Sequence, residues 1–449
     1  MRISVIGSGY VGLVSGVCFA ETGHDVVCID LDQEKVDKIN QGIPPIYERD
    51  LDGLLKKNIK QRLTATTDFN RAVAETDVSF IAVGTPFDGK EIDLTYIKKV
   101  SEQIGKVIGE KKTYHMVVVK STVVPGTTDT VVLPILESHS GKKAGVDFGV
   151  GMNPEFLREG EAIQDFMVPD RIVMGSVDKK GHELLEEIYA GFRDVPKIRT
   201  TNKTAEMIKY TSNSLFATMI SFSNEIANLC TSLGDIDVTE VMKGVHLDKR
   251  LSPVVDGKRL VPTFTTYIEA GCGFGGSCFP KDVKALISHG KTVGHPMDLL
   301  EAVISVNEKQ PFQIISMVEK HFKILEDLNI AILGLAFKPG TDDMRESPAI
   351  PIVQHLREHG SNINAYDPVA SHEAEKLFGK HKIQYCKTLL QTIENVDVII
   401  LLTAWEEFKS LPGILADLSV SPLVIDGRRM LDKKQITNYE GIGLQVNER

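Results

Sequence analysis

One thiol sits in a stretch that lets other atoms come close. Residues 271–282 read GCGFGGSCFPKD, so Gly271, Gly273, Gly275 and Gly276 precede Cys278, and Lys281 and Asp282 follow it. Glycine admits positive φ and allows a ligand to lie against the backbone. Cysteine is a nucleophile as the thiolate, and neighbouring positive charge favours that form. A sulfur, a cation and a carboxylate in one short segment are the parts needed to attack a carbonyl and then move protons. A Gly-rich surface turn that merely holds a cysteine is the plain alternative. A second motif in the chain favours a cysteine that forms a covalent adduct with an oxidised substrate.

That motif is GSGYVG at residues 7–12, between an apolar run ending at Ile6 and an apolar-rich helical stretch ending near Thr22. It is G-x-G-x-x-G in its required strand–turn–helix context. Gly7, Gly9 and Gly12 allow the tight turn and a close pyrophosphate; Tyr10 and Val11 open the helix whose N-terminus faces the phosphates. Asp30 ends the next strand-like run, DVVCID, where an acid can bind ribose hydroxyls. That selects NAD over NADP, because a carboxylate repels a 2'-phosphate. Lys35 nearby could soften the preference.

Further strand-like runs follow at Val78–Val83, Met116–Val119 and Phe148–Met152, each ending in polar or turn residues: Gly84-Thr85-Pro86, Ser121-Thr122 and Asn153-Pro154-Glu155. Ligands of parallel sheets bind beyond the carboxyl ends of the strands, so three such turns in succession read as a site. Glu155 and Glu159 share a helix face if Pro154 starts a helix. Thr201–Leu233 has no Gly or Pro and carries apolar residues around most of its circumference. It reads as one long helix that links domains and packs against a partner chain. Lys209 and Asn213 lie one turn apart on it, either as a solvated pair or as part of a site. A second helix, Glu301–Lys320, is interrupted or started near Pro311. From Asn329 a second α/β unit begins, whose first turn, GLAFKPGTDD, lacks the full glycine fingerprint. It suits a nucleotide held in another way, with Lys338 and Arg345 as phosphate contacts or as surface cations.

The chain of 449 residues has room for two or three domains. A net charge of -10 argues against a nucleic-acid partner. The six cysteines, at 18, 28, 230, 272, 278 and 386, have no CxxC or zinc-like spacing, so a reduced, cytoplasmic protein with no metal site is expected. Arg2 and the apolar run to Ala20 superficially resemble a signal peptide, but the glycines fit strand–turn–helix better. No run of about 18 apolar residues is present, and no membrane partner is expected.

GSGYVGLVSG, VGTP, STVVPGT, NPEFLREG, AEMIKYTSN, GFGGSCFPKD, GLAFKPGTDDMRESP and DGRR together span nearly the whole chain. In these motifs it resembles the UDP-glucose/GDP-mannose dehydrogenase family of nucleotide-sugar 6-dehydrogenases. The resemblance implies an α/β fold with two Rossmann-like domains, parallel sheets and a long joining helix at the core of a homodimer or larger homo-oligomer. It implies an NAD-binding domain over 1–200, a central helical dimerisation region with the cysteine loop over 201–320, and a nucleotide-sugar domain over 321–449. The implied activity is a four-electron, NAD-dependent oxidation at C6 of a nucleotide sugar, through a thiohemiacetal and a thioester on Cys278. Lys209 and Asn213 then stabilise an oxyanion, while Asp282, Thr122, Glu155 and Glu159 order a water and move protons. The segment Glu155, Phe156, Leu157, Arg158 and Glu159 contacts substrate, as do Tyr267, Ile268, Glu269, Gly271 and Gly275. Phe337, Lys338 and Arg428 match further substrate contacts, Arg250 one lent by the neighbouring subunit, and Arg345 a cofactor contact. Thr85, Pro86, Ser121, Thr122, Glu159 and Lys281 complete the cofactor set.

Within the family, the loop YIEAGCGFGGSCFPKD resembles the UDP-glucose branch and GKKAGVDFGVG and AEMIKYT the GDP-mannose branch; the resemblance of the loop implies UDP-glucose, oxidised to UDP-glucuronate. GDP-mannose and UDP-N-acetylhexosamines are the alternatives. Thr266 and Glu269 stand where many UDP-glucose enzymes have basic residues, Met219 replaces a basic residue, and the segment 248–264 is longer than usual. A two-electron hydroxyacid dehydrogenase could share the first domain but would not require Cys278. An epimerase would typically use Tyr-x-x-x-Lys, and none of the ten tyrosines has Lys four positions on. A non-catalytic NAD-binding regulator would survive loss of Cys278.

Overall fold

A computed structural model describes residues 1–418 and 421–445. The chain forms two compact units, Met1–Ser212 and Asn213–Arg449. In the first, the eight-stranded sheet runs Leu63–Thr66, Asp25–Ile29, Arg2–Ile6, Val78–Ile81, Met116–Val119, Gly149–Met152, Ile172–Ser176, Lys197–Thr200. The first six strands are mutually parallel. Ile172–Ser176 turns antiparallel to Gly149–Met152. Strands such as Val78–Ile81 and Met116–Val119 are wholly buried and continuously apolar, because helices cover both faces of such a sheet. The resulting strand order, 3-2-1-4-5-6, is that of the dinucleotide-binding fold.

The second unit repeats that order with Ile383–Tyr385, Asn362–Tyr366, Asn329–Leu333, Val398–Leu401, Leu423–Asp426 and Tyr439–Gly441, all parallel. Two short antiparallel strands, Leu444–Gln445 and Ile236–Asp237, extend its edge. The expected fold class is therefore observed: two parallel-rich Rossmann-like sheets and a continuous 32-residue helix, Asn202–Leu233. The helix begins in the first unit and ends in the second, where Gly234 stops it with φ +71°.

Two expectations about prolines need correction. Pro154 does not start a helix; residues 153–158 are irregular and the helix begins at Ala162. The Leu157 N–H, which a helix would direct to Asn153, donates instead to Glu155 Oε2 (2.6 Å). Pro311 neither starts nor interrupts its helix, which runs unbroken over Asp298–His321. An internal proline costs a helix about 3 kcal/mol, but Leu300, Val303, Ile314, Ile315 and Val318 bury the same helix in the core. Each such side chain contributes roughly 1.5–3 kcal/mol. No helix among the described residues is long and apolar enough to cross a membrane.

Candidate functional site

In the first unit the glycine turn is shaped by what it cannot hold. A Cβ on Gly12 would lie 1.8 Å from the Gly7 carbonyl oxygen, whereas a Cβ on Gly9 would meet nothing within 4 Å. Gly12 closes the turn, and Gly9 leaves the helix N-terminus at Tyr10 open to an anion. Asp30, half-buried at the end of the second strand, accepts from Ser8 N (2.9 Å), Ser8 Oγ (2.5 Å) and Asp32 N (3.0 Å). Burial opposes its ionisation, but the Ser8 hydroxyl and the two amides outweigh that and hold the carboxyl below its ordinary range. An open backbone edge beside an ionised acid suits the pyrophosphate and ribose of NAD. Tyr10 donates its hydroxyl to Glu48, and Lys35 is half-buried in a helix capped by Asp32.

The strand-end turns lie side by side. Thr85 Oγ1 donates to the Thr122 carbonyl (2.8 Å), and Ser121 Oγ to that of Val83 (2.7 Å). Next to them in the sheet, Glu155 Oε1 pairs with Lys209 Nζ at 2.9 Å, the two side chains 5% and 4% exposed. Burial disfavours the Glu155 charge, yet Lys209, the Leu157 amide and Lys120 together keep it ionised, below the usual carboxylate range. Phe156 lies beneath the Arg171 guanidinium, 3.8 Å from ring centroid to Cζ. Arg158 is committed to Asp165 (2.6 Å) and Glu161 (2.8 Å), with Leu157 and Glu159 partly buried on either side.

In the second unit Cys278 is the N-cap of the helix Phe279–Thr292, with Pro280 in its first turn. The sulfur is partly exposed and 3.6 Å from Ser277 Oγ. One turn on, Asp282 is 1% exposed, accepts from Asn213 Nδ2 (2.6 Å) and pairs with Lys281 Nζ (2.5 Å). The loop before the cysteine is clamped by side chains from two helices. Gly271 N donates to Asn224 Oδ1 (2.8 Å), Gln310 Nε2 donates to Gly271 O (2.9 Å), and Asn307 exchanges two bonds with Phe274. Gly275 and Gly276 pass so close to Glu346 O and the Phe337 ring that a Cβ would fall 2.2 and 2.7 Å from them. Arg428 donates to Gly273 O (3.1 Å) and Leu402 O (2.6 Å). Phe337, Arg428, Gly271 and Gly275 thus meet around the loop. Lys338 Nζ lies 5.8 Å from the Phe337 ring, Tyr267 stacks on Phe216 at 4.4 Å, and Ile268 is buried beside it. Arg345 pairs with Asp343 (2.7 Å). Glu269 is exposed, and Arg250, 88% exposed, turns back to Asp248.

Sequence reasoning missed several groups that hold these parts. Glu48 accepts from Tyr10, Gly160 N (2.7 Å) and Ala162 N (2.9 Å), tying the glycine turn to the loop after Glu159. In the second unit Asp367 occupies the strand-end position that Asp30 has in the first. Its carboxylate accepts from the amides of Leu335, Ala336, Val369 and Ala370 and from Trp405 Nε1. Those donors and its burial leave it no freedom to grip a ribose, which agrees with the incomplete glycine fingerprint. Only its place after an apolar run signalled it.

Fold and glycine turn define a class, the NAD-binding oxidoreductases with a dinucleotide fold, and comparison with known proteins narrows it. Three family models match: the UDP-glucose/GDP-mannose dehydrogenase NAD binding domain over residues 1–193, central domain over 203–309 and UDP binding domain over 331–433. UDP-glucose 6-dehydrogenase TuaD of Bacillus subtilis is 42% identical over 443 residues, covering 98% of this chain and 92% of that protein. GDP-mannose 6-dehydrogenase of Pseudomonas putida is 42% identical over 422 residues, 92% and 93% of the two chains. The structure of a UDP-glucose dehydrogenase from Pyrobaculum islandicum superposes with a TM-score of 0.89 at 38% identity, over 99% of this chain and 98% of that one. The chain belongs to the UDP-glucose/GDP-mannose dehydrogenase family and is an enzyme, an NAD-binding oxidoreductase.

Proposed function

We propose that the enzyme oxidises the C6 alcohol of UDP-glucose to a carboxylate, giving UDP-glucuronate, with Cys278 as the covalent nucleophile. The observation that carries this reading is the cysteine helix itself. Its N-cap is a partly exposed thiol, where the helix dipole favours negative charge. One turn along, a buried carboxylate is hydrogen-bonded to a side-chain amide. A two-electron oxidation of an alcohol needs no thiol, whereas an aldehyde cannot lose a second hydride until a nucleophile has added to it.

The glycine turn, Asp30, Thr85, Pro86 and Ser121 would hold NAD, and a fresh NAD in each of the two oxidations would accept one hydride. The first oxidation leaves the C6 aldehyde. The Cys278 sulfur then adds to its carbonyl carbon, and the new oxyanion takes a proton as the thiohemiacetal forms. Asn213 and Lys209 donate hydrogen bonds to that oxygen. Loss of the C6 hydride and the hydroxyl proton turns the thiohemiacetal into a thioester. Water, ordered by Glu155, Thr122 and Asp282, attacks the thioester carbon, and the carboxylate leaves as the thiolate is restored. Phe337, Lys338 and Arg428 hold the nucleotide sugar. A homodimer, with Arg250 completing the neighbour's site, is the working assembly, and the cytoplasm its expected location.

UDP-glucose is preferred because the residues 267–282 fit that branch and TuaD carries that activity in its name. GDP-mannose is the second reading, favoured by the equally similar Pseudomonas putida relative. Assays of NADH formation on UDP-glucose, GDP-mannose and UDP-N-acetylhexosamines decide between them. UDP-glucose is expected to give the highest kcat/KM and two NADH per acid. Cys278→Ala is expected to bind the sugar but yield almost no acid, and Glu155→Gln to accumulate a thioester detectable by intact-protein mass. Two NADH per sugar from Cys278→Ala at a near-normal rate overturns the covalent mechanism.

A further inference from the structure

A buried ammonium is tied to the root of the turn that carries Glu155. Lys120 is 3% exposed, one residue beyond the strand Met116–Val119 and two before Thr122. Its Nζ donates to Asn153 Oδ1 (2.9 Å) and, at 3.4 Å, to Asn153 O; it lies 5.9 Å from the centroid of the Phe80 ring. The Asn153 amide is fixed in turn. Its Nδ2 donates to Val173 O (2.8 Å), and its Oδ1 also accepts from Tyr189 (2.6 Å). Asn153 is the residue from which the Pro154–Glu155 turn leaves the sheet.

Both oxygens that receive the ammonium are neutral. Burying a charge costs several kcal/mol unless an opposite charge or a full set of hydrogen bonds offsets it. A methionine of similar length would fill the space without that cost. Folding alone therefore gives no reason for a lysine here. Burial pulls the Lys120 ammonium down to about 8; the Glu155 carboxylate opposes that pull, Lys209 adds to it, and Cys18 has a minor effect. Glu155 in its turn faces Lys209, the Leu157 amide and Lys120.

We propose that Lys120 is a positioning residue for the Glu155–Lys209 pair: it clamps Asn153 at the root of the turn and places a fixed positive charge behind the Glu155 carboxylate. The proposal rests on the reaction assigned above, in which ionised Glu155 handles the hydrolytic water. Lys120 touches neither substrate nor cofactor in that scheme; it acts through Glu155.

Two substitutions remove the charge, and one of them keeps the clamp. Lys120→Gln keeps a donor for Asn153 Oδ1 and removes the charge; Lys120→Met removes both. Without the cation the Glu155 carboxyl is harder to ionise. The acid limb of the kcat–pH profile, where rate is lost as Glu155 takes up a proton, is expected to move up by about one unit in both variants. kcat at neutral pH should fall roughly tenfold, KM for NAD should stay within about twofold, and the melting temperature should be kept or raised. Tyr189→Phe, which removes the neutral donor to the same oxygen, should leave the limb in place. The Glu155 titration is also followed directly by carboxyl 13C NMR, its signal assigned by loss in Glu155→Gln. Its midpoint should rise in Lys120→Gln whichever sugar the enzyme takes, so failure of the substrate assignment and failure of this proposal are told apart. An unmoved midpoint in folded Lys120→Gln overturns the proposal. So does an equal shift in Tyr189→Phe, or loss of cooperative unfolding in both lysine variants, which would make Lys120 a structural residue.

Discussion

Asp30 shows how one carboxylate becomes a selective group. Ser8 and the Asp32 amide hold it ionised despite partial burial, next to the open backbone at Gly9. Asn at this position retains the size but loses the charge and confronts two N–H donors with an amide that is itself half donor. Charged hydrogen bonds are worth about 1.5–3 kcal/mol, so Asp30→Asn should weaken NAD binding by roughly tenfold or more. The penalty on the 2'-phosphate should fall at the same time, narrowing the gap between NAD and NADP. Fluorescence titration with both cofactors measures this. Equal efficiency of the unaltered enzyme with NAD and NADP would contradict the role given to Asp30.

At the scale of elements, the first part of the long helix is stitched to the turn after Ser121–Thr122 by Glu206. This carboxyl is fully buried and accepts from Gly126 N (2.5 Å) and Thr128 N (2.8 Å), while Asn202 reaches Asp129 (2.8 Å). Burial raises Glu206 from 4.5 to about 7, against the pull of the two amides. A carboxyl with a raised folded-state pKa binds its proton more tightly when folded. Its contribution is therefore present at pH 5 and is lost as pH rises through 7. Urea unfolding of wild type and Glu206→Gln at pH 5 and pH 8 isolates the effect. The stability of wild type relative to the variant should fall by about 2–3 kcal/mol across that interval. A constant difference would show that Glu206 titrates normally.

For the whole molecule, the long helix presents Leu215, Phe222 and Leu229, each 52–53% exposed and seven residues apart. Seven residues are close to two helical turns, so the three lie in one stripe. Phe222→Glu with Leu229→Glu should convert the proposed dimer to monomers in sedimentation velocity and abolish activity. If Arg250 serves the neighbouring subunit, Arg250→Ala and Cys278→Ala proteins, each inactive, should regain activity on subunit exchange. The mixed dimer then holds one site with both groups intact. A fully active monomer, or no regain on exchange, would remove the shared site.

Much of this protein was legible along the chain. The glycine turn, the strands with their polar ends, the cysteine loop and the uninterrupted helix all depend on neighbours a few residues apart, through φ preference, apolar run length and helix periodicity. Alternating strand and helix with right-handed crossovers restrict such a sheet to a handful of orders, of which both units adopt 3-2-1-4-5-6. What local rules could not supply is the partner of each buried polar group. Lys120 and Asn153 are 33 residues apart, Asn213 and Asp282 69, and Glu48 and Gly160 112. Nothing in the spacing of Glu48 or Lys120 distinguishes them from surface charges. The prolines depart from local rules for the same reason: Pro154 follows a residue held by Lys120, Val173 and Tyr189, and Pro311 sits in a helix whose buried face outweighs one lost hydrogen bond. Short-range sterics and periodicity determined which segments form and which residues stand at their ends. Only tertiary packing, which must satisfy every buried donor and charge at once, decided which of those residues hold one another in place.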